Sequence, residues 1–371
     1  MSKTGSVNKP VGRVVKAVIL VVIIIVILAI VAIVFSKPLL TALTTGIIKQ
    51  RFISQSEMQQ DGLFAGLAGS GGPFPDLNRA SSCVAVRAGA HLYIVDAGDG
   101  SARNLSLMGF QLGKVEAVLL THFHSDHIAD LGEIMLQRWV GWSNDKPLEV
   151  IGPQGVETVV EGFNLAYKLD DGYRVAHHGE KTVPPSGAGG VARPFNLPSG
   201  DDASMVILDK DGVKITAFRV NHAPVSPAVG YRFDYKGRSL VISGDTVPCE
   251  SLKKQAKGVD VLIHDAMQVA TVKLIGEQAE LSPSPSLAKI MADIPSYHAT
   301  PEDAAKIAGE AGVKHLVLYH ITPPIPLALL NNQFMGDAAR YYRGPITIGT
   351  DGLMIGLPPA SDRIDIRQAL K

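Results

Sequence analysis

Directly after the apolar run "VEAVLLT" the chain reads "HFHSDH", placing His122, His124, Asp126 and His127 within one short segment. In an extended or looped stretch, His122 and His124 stand two residues apart and can turn to the same side. Imidazole and carboxylate together suit zinc, and also iron or manganese. Closed coordination needs further ligands from elsewhere in the chain. His222 follows "ITAFRVN", Asp245 follows "LVISG" and His320 follows "HLVLY". Each ends an apolar strand-like run, where α/β proteins place their chemistry. Spacing alone leaves the membership of these last three open.

The elements that must position these residues alternate between two periods. "LFAGLAG", "SSCVAVRAGAHLYIVDAG", "VEAVLLT", "LEVIGP", "GVKITAFRV", "AVGYRFDY", "RSLVISGD", "VDVLIHDA" and "VKHLVLYH" read as strands. The pair joined at Lys236-Gly237 reads as a tight hairpin. "IADLGEIMLQRWVG", "QGVETVVEGFNLAYK" and "TPEDAAKIAGEAG" read as helices. The last carries Thr300 as N-cap, Pro301 at its first position, Asp303 for a capping box and Gly312 past its end. Leu169 to Ser204 reads as loop, and "EQAELSPSPSLAKIMADIPSYH" as an insertion or lid. Strand runs alternating with helices predict an α/β domain with helix-covered sheets.

The 371 residues carry a formal net charge of +0, which gives no electrostatic case for a nucleic-acid partner. The N-terminal part is the most biased. Residues 17–35, "AVILVVIIIVILAIVAIVF", contain no polar side chain and are long enough to span a bilayer as a helix. Lys3, Lys9, Arg13 and Lys16 precede this run, so residues 1–16 read as a basic cytoplasmic tail. Residues 36–61 read as a short juxtamembrane helix and linker, and residues 62–371 as the globular domain, outside the cytoplasm. The expectation is a single-pass signal anchor. Cys83 and Cys249 are the two cysteines; whether they pair is open, and they exclude a thiolate-rich metal site.

"THFHSDH" resembles the HxHxDH motif of the metallo-β-lactamase superfamily, and the likeness runs from about Ala65 to Pro358. "GSGGPFPDLNRA" and "VDAGDGS" resemble the opening motifs of its arylsulfatase and tRNase Z branch. "NHAPVSPAVGYRF", "SGDT" and "LVLYHITP" resemble its third-histidine, bridging-aspartate and final-histidine motifs. The resemblance implies an αββα sandwich with the site at one edge of two packed sheets. It implies two divalent ions, zinc before iron or manganese. His122, His124 and His222 would hold one, and Asp126, His127 and His320 the other. Asp245 would bridge them around a shared hydroxide. Asp126 counts among both the ligands and the catalytic groups.

The same branch implies a proton donor at His298, in "YHATPEDAA", paired with Asp265, in "LIHDA". A carboxylate partner would orient the imidazole and favour its charged form. Asp96 is expected to steady a metal-bound imidazole. His177 and His178, in "RVAHHGEKTVPP", are read as a solvated loop pair with a substrate-binding role as the alternative. His264 is read as structural, and His91 and His315 as surface residues.

tRNase Z enzymes of this type carry a long RNA-gripping arm where this chain has only the hairpin at Lys236-Gly237. With the neutral charge and the expected export, this favours an anchored binuclear hydrolase of a small sulfate or phosphate ester, arylsulfatase-like or a small phosphodiesterase. The alternatives are a tRNase Z-like endoribonuclease and a lactone or β-lactam hydrolase. Homodimers are common in this branch, which makes a homodimer one possible assembly and leaves the oligomeric state open.

Overall fold

The computed structural model describes residues 11–54, 60–281 and 285–370. Lys3 and Lys9 of the basic tail, residues 55–59 of the linker and residues 282–284 of the expected lid lie outside the described residues. The chain divides into two compact units, Met1–Met58 and Gln59–Lys371.

In the first unit a single helix, α1 (Val11–Ser54), runs through Pro38. Within it Val14–Gly46 is apolar enough and long enough to cross a membrane. The helix continues past residue 35 into the stretch read as a juxtamembrane helix. Polar side chains past the apolar run fold back on the helix instead of leaving it: Ser36 Oγ donates to the Ile33 carbonyl and Thr44 Oγ1 to that of Leu40.

The second unit is built on two sheets. In spatial order the first holds β15 (Asp365–Gln368), β14 (Leu353–Leu357), β1 (Leu63–Gly69), β2 (Cys83–Ala88), β3 (His91–Val95), β4 (Val115–Leu119), β5 (Leu148–Pro153) and β6 (Gly190–Phe195). The second holds β13 (Ile346–Ile348), β12 (His315–Thr322), β11 (Val261–Met267), β10 (Arg238–Ile242), β9 (Val229–Tyr235), β8 (Val213–Arg219) and β7 (Ser204–Lys210). Leu67, Val84, Val86, Leu119, Phe233, Ile263 and Val317 fill the space between the sheets. There Tyr93 of the first sheet meets Phe233 of the second at 6.2 Å.

Helices cover the outer faces: α2 (Ser101–Leu107), α4 (Leu131–Trp142) and α5 (Val156–His178) on the first sheet, α6 (Glu250–Gln255) and α9 (Pro301–Ala311) on the second. The one-turn α3 (Ser125–Ile128) lies in the metal-motif loop. α7 (Val269–Glu280), α8 (Pro285–Asp293), α10 (Asn331–Met335) and α11 (Ala338–Tyr341) complete the order. This is the expected αββα sandwich. The parallel strands β4, β11 and β12 are covered on both faces, which is why their sequences read as nearly unbroken apolar runs.

Two local devices behave as their sequences dictate. Lys236 and Gly237 both take positive φ, 45° and 78°, the geometry of a tight hairpin turn. α9 starts at a complete Thr300–Asp303 capping box and ends at Gly312 with φ 67°. Ala304, Ala305 and Ala308 let α9 lie close on Leu316 and Leu318 of β12.

Other expectations fail for tertiary reasons. Leu169 to Ser204 is not loop throughout. α5 continues to His178, helped by the Asp170–Arg174 pair one turn apart, and stops at Gly179; β6 then pairs with β5. β6 has little apolar pattern because it is an exposed edge strand. His177 and His178 therefore sit on a helix, not a loop. The expected lid is largely the helix pair α7 and α8. His315 is buried on β12, with Nε2 2.9 Å from Thr347 Oγ1, rather than at the surface. Cys83 and Cys249 are both free thiols.

At the end of the sandwich away from the chemistry, Arg238 and Asp260 form a buried ion pair at 3.0 Å, each 4% exposed at the side chain. Arg238 Nη1 also donates to the carbonyls of Pro358 and Arg363, tying β10 to the chain beyond β14. Burial alone would raise the Asp260 pKa, but Arg238, the Ser239 N–H and Lys314 hold it below the usual range. A depressed carboxyl adds stability above its unfolded pKa, and that stability is lost as pH falls through the folded value. Asp260→Asn is expected to cost about 3–5 kcal/mol at neutral pH, because it leaves Arg238 buried and unpaired. The difference between wild type and variant should shrink below about pH 4. Denaturant unfolding at several pH values measures both.

Candidate active site

The chemistry gathers where β4, β8, β10 and β12 end or bend. His122 to His127 follow β4, with His124 as the N-cap residue of α3. His222 lies past β8 and Asp245 past β10. His320 falls inside β12, not beyond it, at φ 49°, where the pairing with β11 shifts by one residue. That shift re-aims the side chain toward the cluster. Asp96, after β3, also takes a positive φ, 60°. Two non-glycine residues in the left-handed region beside one cluster show backbone strain held by the surrounding fold.

Asp245 is the centre. Its Oδ2 lies 3.2 Å from His320 Nε2, 3.3 Å from His127 Nε2, 3.8 Å from His122 Nε2 and 3.9 Å from His222 Nε2. On one side His124 Nδ1 is 3.0 Å from His122 Nε2 and 3.4 Å from His222 Nε2. On the other, Asp126 Oδ2 is 3.1 Å from His320 Nε2 and 3.6 Å from His127 Nε2. All of these side chains except His124 are largely or wholly buried.

The ring orientations are set from behind. His127 Nδ1–H donates to Asp96 Oδ2 at 2.9 Å. Asp96 also accepts from the Thr121 N–H and the Thr121 hydroxyl. That hydroxyl has spent its proton on Asp96, so it accepts from His122 Nδ1–H at 3.1 Å. His222 Nδ1–H donates to the Tyr297 carbonyl at 2.9 Å. Each bond leaves Nε2 directed at the centre. Asp96 thus holds the His127 ring from behind. Thr121 and the Tyr297 carbonyl were not foreseen, although each residue directly precedes a site histidine.

Electrostatics divide the cluster. Burial pushes the pKa values of His122, His124 and His222 down, keeping their imidazoles neutral. Burial opposes protonation of His127 and His320 too, but Asp245 and Asp126 overcome it and raise both. Asp245 and Asp126 are held low by those imidazoles, against their own burial. His127 Nε2 and Asp245 Oδ1 are buried and make no hydrogen bond. Buried polar atoms left without a partner are costly unless something else engages them. His122, His124, His222 and Asp245, and separately Asp126, His127 and His320, offer ligand atoms within 4.8 Å of one another. The donor set, its charge and its orphaned atoms fit two divalent cations.

Beside the cluster, His298 Nδ1 lies 3.2 Å from Asp265 Oδ2 and 4.0 Å from Asp245 Oδ2. Asp265 is fully buried on β11 and is held low by His264 and His298, against its burial. His298 is placed by the α9 cap two residues later and by the Met267 N–H bond to the Ala299 carbonyl. With Nδ1–H on Asp265, Nε2 is the ring's remaining nitrogen. Two cavities flank the cluster. One, of about 490 Å³, is lined by Phe74, Asp76, Arg79, Ser81, Ser125 and Asp126 among others. The second, of about 390 Å³, is lined by His124, His222, Pro224, Val225, Asp293, Ser296 and Tyr297. His177 and His178 line neither, and both are exposed at the end of α5.

Residues 77–275 match the family model of the metallo-β-lactamase superfamily. The chain belongs to the metallo-β-lactamase superfamily. Within that superfamily, ribonuclease Z of Mycobacterium avium (strain 104) is 36% identical over 287 residues, covering 77% of this chain and 95% of that protein. Ribonuclease Z of Mycobacterium bovis (strain BCG / Pasteur 1173P2) is 37% identical with the same coverage. Among solved structures, the short form of human tRNase Z superposes with a TM-score of 0.56 at 21% identity, over 80% of this chain and 99% of that one. A metallo-β-lactamase-fold protein from Bacillus subtilis gives 0.57 at 21% identity, over 80% and 100%. These two share the fold. The ribonuclease Z-like branch fits the chain, which is a metallo-hydrolase by family. The expectation of a sulfate ester finds no counterpart among these relatives. Three of them are named for action on RNA, against the expectation drawn from neutral charge.

Asp96→Asn is expected to lower metal affinity about 10–100-fold, since an amide cannot accept from Thr121 and His127 in the same way. A competition titration against a chromogenic chelator reads this directly. Unchanged affinity would remove Asp96 from its supporting place.

Proposed function

We propose that the chain is a metal-dependent phosphodiesterase of the ribonuclease Z kind, acting on a nucleotide diester of RNA type. The observation that carries this reading is the His298–Asp265 pair at 3.2 Å beside the cluster. A ribose oxygen is a poor leaving group and needs a proton as it departs, whereas an aryl sulfate releases a phenolate that needs little help. The near full-length likeness to mycobacterial ribonuclease Z supports the same choice.

His122, His124 and His222 would hold one divalent cation, Asp126, His127 and His320 the other, with Asp245 shared. Bound there, such ions supply Lewis acidity and an activated water. The chain's own residues do the rest. Asp96 and Thr121 fix the imidazoles, and His298 gives its Nε2 proton to the departing oxygen while Asp265 holds the ring. Arg79 lines the first cavity and pairs there with Asp76 at 3.6 Å.

The apolar span Val14–Gly46 supports a membrane anchor, and the basic residues before it favour a cytoplasmic N-terminus with the domain outside. The tight Lys236-Gly237 turn, which leaves no room for an arm, favours short diesters over a whole folded RNA. The test is a substrate panel on the purified full chain: a 3′-extended RNA, a dinucleoside monophosphate, an aryl sulfate, a lactone and nitrocefin. Turnover of the RNA or the dinucleotide is expected. Turnover of the aryl sulfate alone would overturn the reading. A reporter fused after Lys371 reads the side of the membrane.

A further inference from the structure

The two cavities flanking the cluster differ in chemistry. The first is lined by the ionisable Asp76, Asp99, Asp126 and Arg79, with Arg79 paired to Asp76 at 3.6 Å. The second has no free charge. Its one acid, Asp293, is neutralised by Lys289 Nζ at 2.5 Å, and its Ser296 hydroxyl is committed to the Asp293 carbonyl. What remains facing the space is Pro224, Val225 and the Tyr297 ring, beside His124 and His222. Such a wall suits an uncharged planar group, not a phosphate.

Tyr297 is fixed for that purpose. Its ring packs on Met267, Val272, Met291 and Ile294 and is only partly exposed. It stands edge-on to His222, with centroids 5.3 Å apart at 83°, and tilted against His298 at 5.0 Å. It therefore stands beside both the candidate-ligand imidazole of His222 and the ring of His298, which lie 5.1 Å from each other. A group held against it lies next to the departing oxygen.

We propose that Tyr297 is a specificity-determining residue, a stacking wall for the nucleobase on the leaving-group side of the scissile phosphate. The inference rests on the phosphodiesterase reading above. Stacking of a base on an aromatic side chain is sequence-tolerant and is worth about 1–3 kcal/mol by alanine substitution. It would orient the diester across the cluster, with the base toward Tyr297.

The test is a double-mutant cycle on the full chain. Wild type, Tyr297→Ala, Tyr297→Phe and Tyr297→Trp are assayed on an RNA oligonucleotide and on versions made abasic on either side of the scissile bond. Tyr297→Ala is expected to raise KM about tenfold on the intact strand, with a smaller change in kcat. Phe and Trp should restore KM. The tenfold effect should collapse to about twofold when the leaving-side base is absent, and persist when the other base is absent. Metal content is measured alongside, since the Tyr297 backbone also serves His222. Equal losses on all three substrates, or a loss of metal, would overturn the stacking assignment. If wild type cleaves none of them, the phosphodiesterase reading itself fails, and that outcome is distinct.

Discussion

Replacing His298 with alanine is expected to lower kcat on an unactivated phosphodiester by about 10²–10⁴-fold, the usual contribution of a positioned general acid. On a nitrophenyl diester the loss should stay within about tenfold, because nitrophenolate departs without a proton. The geometry behind this asymmetry is specific. Asp265 Oδ2 engages Nδ1 at 3.2 Å, which assigns the other nitrogen to the substrate. Asp265 is itself anchored by its N–H bond to Ser243 Oγ and by its place inside a fully buried strand. His298→Asn would keep polarity and lose the titrating nitrogen, and should behave as the alanine variant does. The kinetic signature is a steeper dependence of rate on leaving-group pKa in the variant. A variant that loses equal activity on both classes of substrate would show that His298 holds the cluster together and donates nothing. Metal analysis of the same preparation separates those outcomes.

The candidate ligands were legible because each ends or interrupts a recognisable apolar run. Apolar runs of five to eight residues that end abruptly in His or Asp mark the edge of a buried sheet, and the fold collects such edges at one place. His122, His124, Asp126 and His127 announce themselves in one segment. His222, Asp245 and His320 needed the resemblance to join them, because nothing local links positions in separate strands so far along the chain. The α9 cap was legible for the opposite reason: Thr300, Pro301, Asp303 and Gly312 act within one helix.

What stayed hidden depends on pairing. β6 has an exposed, mixed sequence and exists because β5 offers an edge. The length of α5 escaped apolar periodicity because only Val156 and Val160 of its residues are buried. Thr121 and Tyr297 act through a hydroxyl's single proton and a backbone carbonyl, properties that no residue type advertises. The bend that turns His320 into the cluster is a register shift between β11 and β12, visible only once both strands are paired.

Asp245→Asn is expected to abolish binuclear metal binding and to cut hydrolysis by at least about 10³-fold, or roughly 4 kcal/mol of transition-state stabilisation. One carboxylate oxygen stands within 4.0 Å of ring nitrogens of His122, His127, His222, His298 and His320. Its other oxygen is buried with no hydrogen bond. An amide of the same shape removes the one negative charge common to both ligand sets and points N–H donors at the place a cation would fill. Metal per chain should fall from about two to one or fewer. Folding should survive, since the replacement is isosteric and the carboxylate is costly to bury without a cation. Thermal unfolding separates these effects. Wild type should gain stability when metal is added over chelator, because a ligand that binds only the folded state stabilises it by mass action. Asp245→Asn should gain clearly less stability from added metal than wild type does. If the variant keeps two metals and activity within tenfold of wild type, Asp245 does not bridge, and the two ligand sets act as independent sites.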